Sequence, residues 1–372
     1  MKKIFILIFI LTQISCSNES DSTDDSCVYE GNLTLNTQEE INDFVSYNYC
    51  KINGDLIIGS TSAVNQTNIN SLAGLETLNS ITGDLVIINN PNLFSLIGLQ
   101  NINDIGKSLI VRFNNNLERI NELSNITTID YGLYILYNES LIDIKGLENI
   151  NILENIQVIG NASLINLEGL DNLSSINSIE ILENNSLTSL VGLDNLSSAQ
   201  RYVVITENNS LSSIQSLGSL ETMGGDLAIG NNNTLENLSG LEALNTLNNL
   251  EIFENDNLIS ISGIQNISNI NKLSISRNNS LTSLTSFNNI SIGTNSDSGI
   301  SILMNDSLTS LNGLESVTNF QGNVGITDND SLTDLCALQN ILTNGNTNIV
   351  SIVFNQYNPS ENDIINGTNC SI

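Results

Sequence analysis

The chain contains no histidine and no tryptophan, and only ten basic residues stand against forty acidic ones, a formal net charge of −30 over 372 residues. Without histidine, catalytic triads and metal sites built on an imidazole are excluded. So few cations leave no basic footprint for nucleic acid and no means of docking on anionic lipid headgroups. Aromatic residues make up 5% of the sequence, which leaves little for stacking on sugar rings. No Gly-rich phosphate loop occurs. Beyond the leader no apolar run approaches the roughly 20 residues of a transmembrane helix. The eight basic residues beyond the leader (Lys51, Lys107, Arg112, Arg119, Lys145, Arg201, Lys272, Arg277) are scattered through the chain, so no face gathers the acids and bases of a β-helix lyase. A non-enzyme is expected, with no cofactor and no assigned metal site. The acidity reads as solubility for a long apolar-cored rod.

What the chain has in abundance is one phrase. Asn184-Asn185-Ser186-Leu187 recurs as Asn161-Ala162-Ser163-Leu164, Asn208-Asn209-Ser210-Leu211, Asn278-Asn279-Ser280-Leu281 and Asn305-Asp306-Ser307-Leu308. With the residue after the serine as anchor, the series runs Ile69, Leu93, Leu117, Leu141, Leu164, Leu187, Leu211, Leu235, Leu258, Leu281, Leu308, Leu332, in steps of 23 or 24 with one of 27. A fixed period of this size over twelve units marks a solenoid, in which each coil buries its apolar face only against its neighbours.

Within a unit, two periods alternate. Leu85-Val86-Ile87-Ile88 has strand periodicity, and its inward pair recurs as Leu109/Val111, Leu133/Ile135 and onwards to Val324/Ile326. Then Leu93, Leu96, Leu99, Ile102 and Ile105 step by three, as in a tight coil whose apolar residues all point to one axis. Asparagine stands three residues before the anchor at Asn90, Asn114, Asn138, Asn161, Asn184, Asn208, Asn232, Asn255, Asn278, Asn305 and Asn329, with Gln66 in the first unit. An amide supplies two donors and an acceptor, and coils stacked about 4.8 Å apart let these amides bond one another as an inward ladder. Glycine lies five after the anchor in eight units, replaced by Glu122, Ser216, Ser286 and Ala337 in the others, which suggests a turn with positive φ.

The ends read differently. Lys2-Lys3, the apolar run Ile4 to Leu11 and Ile14-Ser15-Cys16 form a secretory leader. Residues 16–26 are polar and acidic, hence a disordered tether. Setting Cys16 aside leaves four cysteines, two before the repeats and two at their end. A rod keeps its ends apart, so Cys27–Cys50 and Cys336–Cys370 are the pairs with plausible geometry. Thr37-Gln38-Glu39-Glu40 is a capping box opening a short helix with Ile41, Phe44 and Val45 on its apolar side. The division is therefore 1–15 signal peptide, 16–26 tether, 27–52 N-terminal cap, 53–334 solenoid of about twelve coils, and 335–372 C-terminal cap, in which Pro359 ends the pairing.

Leu85-Val86-Ile87-Ile88-Asn89-Asn90 resembles the heart of the leucine-rich repeat. The N-x-x-L continuation, with Gly-Asp-Leu opening strands at Gly54, Gly83 and Gly225, resembles the receptor L-domain. That resemblance implies an all-β solenoid of right-handed parallel β-helix-like coils of 23–24 residues, closed at its N-terminus by a capping helix and a disulfide. Ile14-Ser15-Cys16 resembles a bacterial lipobox, with Gln13 where such motifs usually carry Leu. The acidic stretch after it looks like the export signal of Bacteroidetes surface lipoproteins. These likenesses imply lipidation at Cys16 and an outer-membrane, surface-exposed lipoprotein that meets the membrane through its lipid alone.

Binding is then the expected role. The outward strand positions of the early coils carry Val86, Ile88, Ile110, Arg112, Phe113, Tyr134, Leu136, Tyr137 and Ile159, an apolar and aromatic patch of the kind that marks interaction sites. Later coils place Glu180, Glu183, Glu207, Glu251 and Glu254 there, with Phe253. Insertions at Ser60 to Asn68 and Thr294 to Ser298 are expected as loops. The reading is an adhesin-like recognition protein, monomeric, with an unknown protein or glycan ligand. A glycan-capture accessory lipoprotein and a passive surface spacer are the alternatives. Asp328-Asn329-Asp330 and Asn305-Asp306-Ser307 put oxygens at corners where calcium could sit, but Asn329 and Asn305 are needed by the ladder.

Overall fold

A computed structural model describes residues 27–62, 66–287 and 289–372; Cys16 and the tether lie outside the described residues. The chain is a solenoid of parallel strands. One sheet holds fifteen strands, fourteen of which stack in chain order. These are β1 (Leu33–Leu35), β2 (Leu56–Gly59), β3 (Leu85–Ile88), β4 (Ser108–Arg112), β5 (Gly132–Leu136), β6 (Asn155–Ile159) and β7 (Ser175–Leu182). They continue with β8 (Ser198–Thr206), β9 (Asp226–Gly230), β10 (Asn249–Phe253), β11 (Lys272–Ser276), β12 (Thr294–Leu303), β13 (Gln321–Thr327) and β14 (Asn346–Val353). A second, five-stranded parallel sheet runs through the first coils on another face, from Val28–Glu30 to Thr128–Ile129.

The core follows from the two sequence periods. Every inward pair from Leu85/Ile87 to Val324/Ile326 is at most 1% exposed. The period-three residues Leu93, Leu96, Leu99, Ile102 and Ile105 are wholly buried, as are their counterparts in most later coils. At about 1.5–3 kcal/mol for each buried aliphatic side chain, hydrophobic burial drives the stacking. It does not set the register, because one aliphatic coil fits another at many offsets.

Register comes from the asparagines. All eleven are completely buried, and each donates its backbone N–H to the next rung and its amide to a carbonyl one coil back; Asn208 shows the full pattern, of which Asn90 and Asn232 lack the bond to their own strand. The backbone N–H of Asn208 donates to Asn232 Oδ1 at 3.2 Å. Its amide nitrogen donates to the carbonyl of Ile181 one coil back at 2.9 Å, to that of Thr206 in its own strand at 3.0 Å and to Asn232 Oδ1 at 3.4 Å. Its Oδ1 accepts from the N–H of Asn184 at 3.1 Å. One side chain thus ties three successive coils. The column begins one step before Asn90, where Thr67 rather than Gln66 supplies the partner, its hydroxyl donating to Asn90 Oδ1 at 2.6 Å. It runs one step past Asn329, to Asn355, whose N–H is closed by Asn358 Oδ1 at 3.0 Å. Residues 346–355 therefore add a further strand and rung, and Asn358, one residue before Pro359, terminates the column.

The glycines five after the anchor all lie at positive φ, from +110° to +120°. A Cβ on Gly192 would stand 2.0 Å from the Leu167 carbonyl oxygen of the preceding coil, so close stacking and not only φ demands glycine. In all eight units the glycine N–H is accepted by the side chain two residues on, as when Asp194 accepts from Gly192 at 2.9 Å. Six of these acceptors are carboxylates: Glu76, Glu148, Asp171, Asp194, Glu242 and Glu315. Part of the acidity read as solubility is thus structural. The four units without glycine wind the same corner as right-handed 3-10 turns at Asn121–Leu123, Gln215–Leu217, Thr285–Phe287 and Cys336–Leu338.

The ends are capped as their sequences suggest, with one adjustment. Helix α1 (Gln38–Phe44) carries the capping box and buries Ile41 and Phe44, but Val45 falls in the following 3-10 turn and is 57% exposed. Disulfides join Cys27 to Cys50 and Cys336 to Cys370. At the C-terminal end α2 (Gln339–Asn344) and α3 (Glu361–Ile365) pack together over Ile341 and Ile364. The insertion at Thr294 to Ser298 is no loop. It is absorbed into β12 as a register shift between Thr294 and Gly299, held by the Ser298 hydroxyl donating to Asn271 Oδ1 at 2.6 Å.

Asn208→Leu strands the Asn184 N–H and the Ile181 carbonyl, each a buried group whose orphaning costs about 1–3 kcal/mol. A loss of about 3 kcal/mol or more is expected by denaturant titration. Asn209→Leu, which breaks only exposed contacts to Asn185 and Asn233, should lose less than about 0.5 kcal/mol; equal losses would refute the inward ladder. Gly192→Ala should cost at least about 2 kcal/mol. Ser216→Ala, at the matching position of a right-handed turn, should cost under about 1 kcal/mol, measured in the same way.

Candidate functional site

The parallel register sorts the outward side chains into columns whose successive members lie about 4.8 Å apart. The first runs Ile57, Val86, Ile110, Tyr134, Gln157, Glu180, Val204, Ala228, Glu251. Its members from Ile57 to Tyr134 are apolar or aromatic, and its chemistry changes at Gln157, whose amide donates to Glu180 at 3.1 Å. Ile57, which follows Thr34 of β1 in the same column, belongs with the patch, although its unit, broken by the long 60–68 connection, hides the alignment. The second column places Ile88, Arg112, Leu136, Ile159 and Leu182 side by side.

Val86, Ile110, Arg112, Tyr134, Leu136 and Ile159 are half-buried on this face, available to a partner yet held in place. Ile88 is not presented: it is 8% exposed. Ser60 and Thr67 contact its neighbour Asn89, whose amide donates to the Ser60 carbonyl at 2.6 Å and whose carbonyl accepts from the Thr67 N–H. Phe113 and Tyr137 are not strand residues. Each occupies a corner with φ of +56° and +54°, immediately before its ladder asparagine. Glu183, Glu207 and Glu254 hold the same corner in later coils, at +59°, +60° and +54°, whereas Glu180 and Glu251 are true strand positions.

This left-handed corner recurs before every rung from Asn90 to Asn355, at Asn89, Phe113, Tyr137, Gly160, Glu183, Glu207, Asn231, Glu254, Arg277, Met304, Asp328 and Phe354. Side chains other than Gly or Asn rarely adopt it, since it costs about 1–2 kcal/mol. The cost is offset because the residue's N–H donates to the strand carbonyl of the next coil, as from Tyr137 to Ile159 at 2.7 Å. The following asparagine is at the same time fixed by the ladder. Backbone geometry is thus imposed by neighbours, which leaves the side chain free to vary.

The corner builds the most elaborated part of the face. Phe113 and Tyr137 stack with ring centroids 5.3 Å apart, and the Arg112 guanidinium lies 4.5 Å from the Phe113 centroid. Arg112 Nε is buried without a hydrogen-bond partner. Tyr137 lies across Gly160, where any Cβ would strike its ring. Gly160 opens a shallow groove of about 660 Å³ between Tyr137 and the carboxylates of Glu183 and Glu207, with Ala162, Asn185 and Asn209 along its side. Tyr134 fits because Gly132 has no Cβ to meet its ring, and burial raises its phenol above the ordinary value. The Tyr202 hydroxyl donates to Glu180 at 2.9 Å, and that bond, with burial, raises its phenol likewise.

A second concavity, absent from the sequence reading, sits at the N-terminal end. It encloses about 350 Å³ among Tyr29, Phe44, Tyr47 and Tyr49, with Glu40 and Asp43 at its margin. Its only signal in the sequence is the crowding of four aromatics between positions 29 and 49. At the corners considered for calcium, Asn305 and Asn329 are buried in the ladder. Among the described residues no three His, Cys, Asp or Glu side chains come together to hold a metal ion, and no helix is long and apolar enough to cross a membrane. The chain matches no protein-family model, and no curated protein matches it significantly.

Proposed function

We propose that the chain is a surface-anchored, non-catalytic recognition protein that takes a protein ligand on the outward strand face of its early coils. The observation that carries this reading is the contiguous patch of Ile57, Val86, Ile110 and Tyr134 beside the Arg112–Phe113–Tyr137 stack. Aromatic and arginine side chains dominate binding energy where they are pre-positioned. Here the sheet, Gly132 and Gly160 fix them before any ligand arrives. A long rigid ribbon suits a protein surface better than a small molecule, since its concavities are shallow and open.

The groove at Gly160 favours a second reading, capture of a glycan, because it sets one tyrosine ring beside carboxylates and amides. The first reading rests on the larger and more apolar surface. In either case the membrane is met through a lipid on Cys16, and the acidic tether carries the solenoid away from it.

Two experiments test the proposal. In affinity capture from intact cells with cross-linking, Tyr134→Ala/Tyr137→Ala should weaken retention of a protein ligand at least about tenfold, the loss of about 1.4 kcal/mol expected for one hot-spot ring. Unchanged retention, or binding confined to a glycan array, would remove the protein-ligand reading. Cys16→Ala should move the protein from the membrane pellet to the soluble fraction; membrane association unaffected by that change would overturn lipid anchoring.

A further inference from the structure

The two edges of the main sheet are finished differently. At the N-terminal edge, α1 packs against β1 and buries Ile41 and Phe44. At the other edge β14 pairs with β13 on one side, and among the described residues no strand lies on its other side. The Val353 carbonyl accepts from the N–H of Asp328, the corner residue just after β13, at 3.2 Å. Backbone groups alternate in direction along a strand, so those of Ile352 and Val350 point to the open side. The cap formed by α2 and α3 packs over Ile341 and Ile364, and among the described residues no strand covers the open side of Val350 and Ile352.

The edge is apolar as well as unpaired. Ile349 is 64% exposed and Phe354 72%. Val350 and Ile352, which continue the inward pairs, are only partly buried, whereas Val324 and Ile326 one coil earlier are 1% and 0% exposed. Charge and proline, which usually blunt an edge, are missing from the strand; a bulge at Asn348 interrupts it near its start and leaves Ile349 to Val353 in regular register with β13. Residues 335–360 contain no Asp, Glu, Lys or Arg, the longest such run in a chain of net charge −30.

We propose that β14 is a self-association edge, pairing antiparallel with β14 of a second copy to give a tail-to-tail two-fold dimer. The charge distribution selects the occupant. Two copies of so acidic a chain repel one another over most of their surface, and the uncharged stretch is where they can meet without like charges opposed. A basic partner would find nothing here to recognise. Head-to-tail stacking of solenoids is closed off, because Asn358 Oδ1 already accepts from the Asn355 N–H and amide, each at 3.0 Å, and takes the place of the next rung. Antiparallel pairing needs no rung, and a two-fold contact closes upon itself rather than propagating. The regular edge from Ile349 to Val353 spans about 17 Å, a low-end interface, so a micromolar dimer is expected in place of the monomer anticipated from the sequence. The outward face of the early coils is not consumed, so this inference stands apart from the proposed recognition.

Sedimentation velocity of the purified protein between about 1 and 100 µM should show a monomer–dimer equilibrium and no larger species. Ile349→Glu should weaken it at least tenfold with the melting temperature unchanged, while Ile152→Glu, at an isoleucine 73% exposed elsewhere, should leave it intact. A monomer throughout, an open series of oligomers, or equal responses to the two substitutions would each overturn the proposal. Hydrogen exchange on the unsubstituted protein gives a check that depends on no variant. The amides of Val350 and Ile352 should gain protection as concentration rises, and amides that exchange equally fast at every concentration would also refute it.

Discussion

The whole architecture depends on how each coil turns its corner without leaving a buried polar group unpaired. After each strand from β3 to β14 the chain enters a left-handed residue and then a buried asparagine, and a bend of that kind would orphan backbone groups inside the core. The asparagine amide reaches one coil back to a carbonyl and stays within its own coil for another, while its oxygen receives the N–H of the rung before. Because every rung both gives and receives, no coil is satisfied without its neighbours. Hydrophobic burial holds the coils together, and the amide column allows one relative position.

That division of labour explains which parts were legible in the sequence. Buried positions are constrained by identity, so the period, the inward pairs, Asn90 to Asn329, the corner glycines and the capping box could be read directly. The left-handed corner was not legible, because its conformation is imposed by the N–H bond to the next coil rather than by its own side chain. Phe113, Tyr137 and Glu183 therefore look like strand residues in sequence and are corner residues in space. The same logic covers the last rung. Asn355 follows Asn329 by 26 residues, a step longer than the repeat, so its strand is hidden within what reads as a cap.

The candidate site was legible in chemistry and less so in geometry. Val86, Ile110 and Tyr134 do share a column, and Ile57 completes it from a unit obscured by its longer connection. Ile88 belongs to the face by pattern but is buried beside Asn89, which Ser60 and Thr67 contact, and periodicity cannot reveal that. The insertion at 294–298 was placed correctly and given the wrong form, since hydrogen bonds from Ser298 and Asn295 to Asn271 fold it into the strand. Acidic side chains also divide into two populations: six close glycine corners, while others, such as Glu183 and Glu207, stand at the open corner position facing solvent.

The left-handed corner separates inheritance of the scaffold from inheritance of the surface. Since the conformation is guaranteed by the coils above and below, an aromatic, a carboxylate, an amide, a guanidinium or a thioether has been accepted there without altering the fold. Each rung is also equivalent to the next, so a whole unit can be duplicated or deleted in the gene with the column re-forming across the junction. Recombination within such a gene would then shuffle surface side chains as modules. A lineage could revise what the ribbon displays without solving the folding problem again.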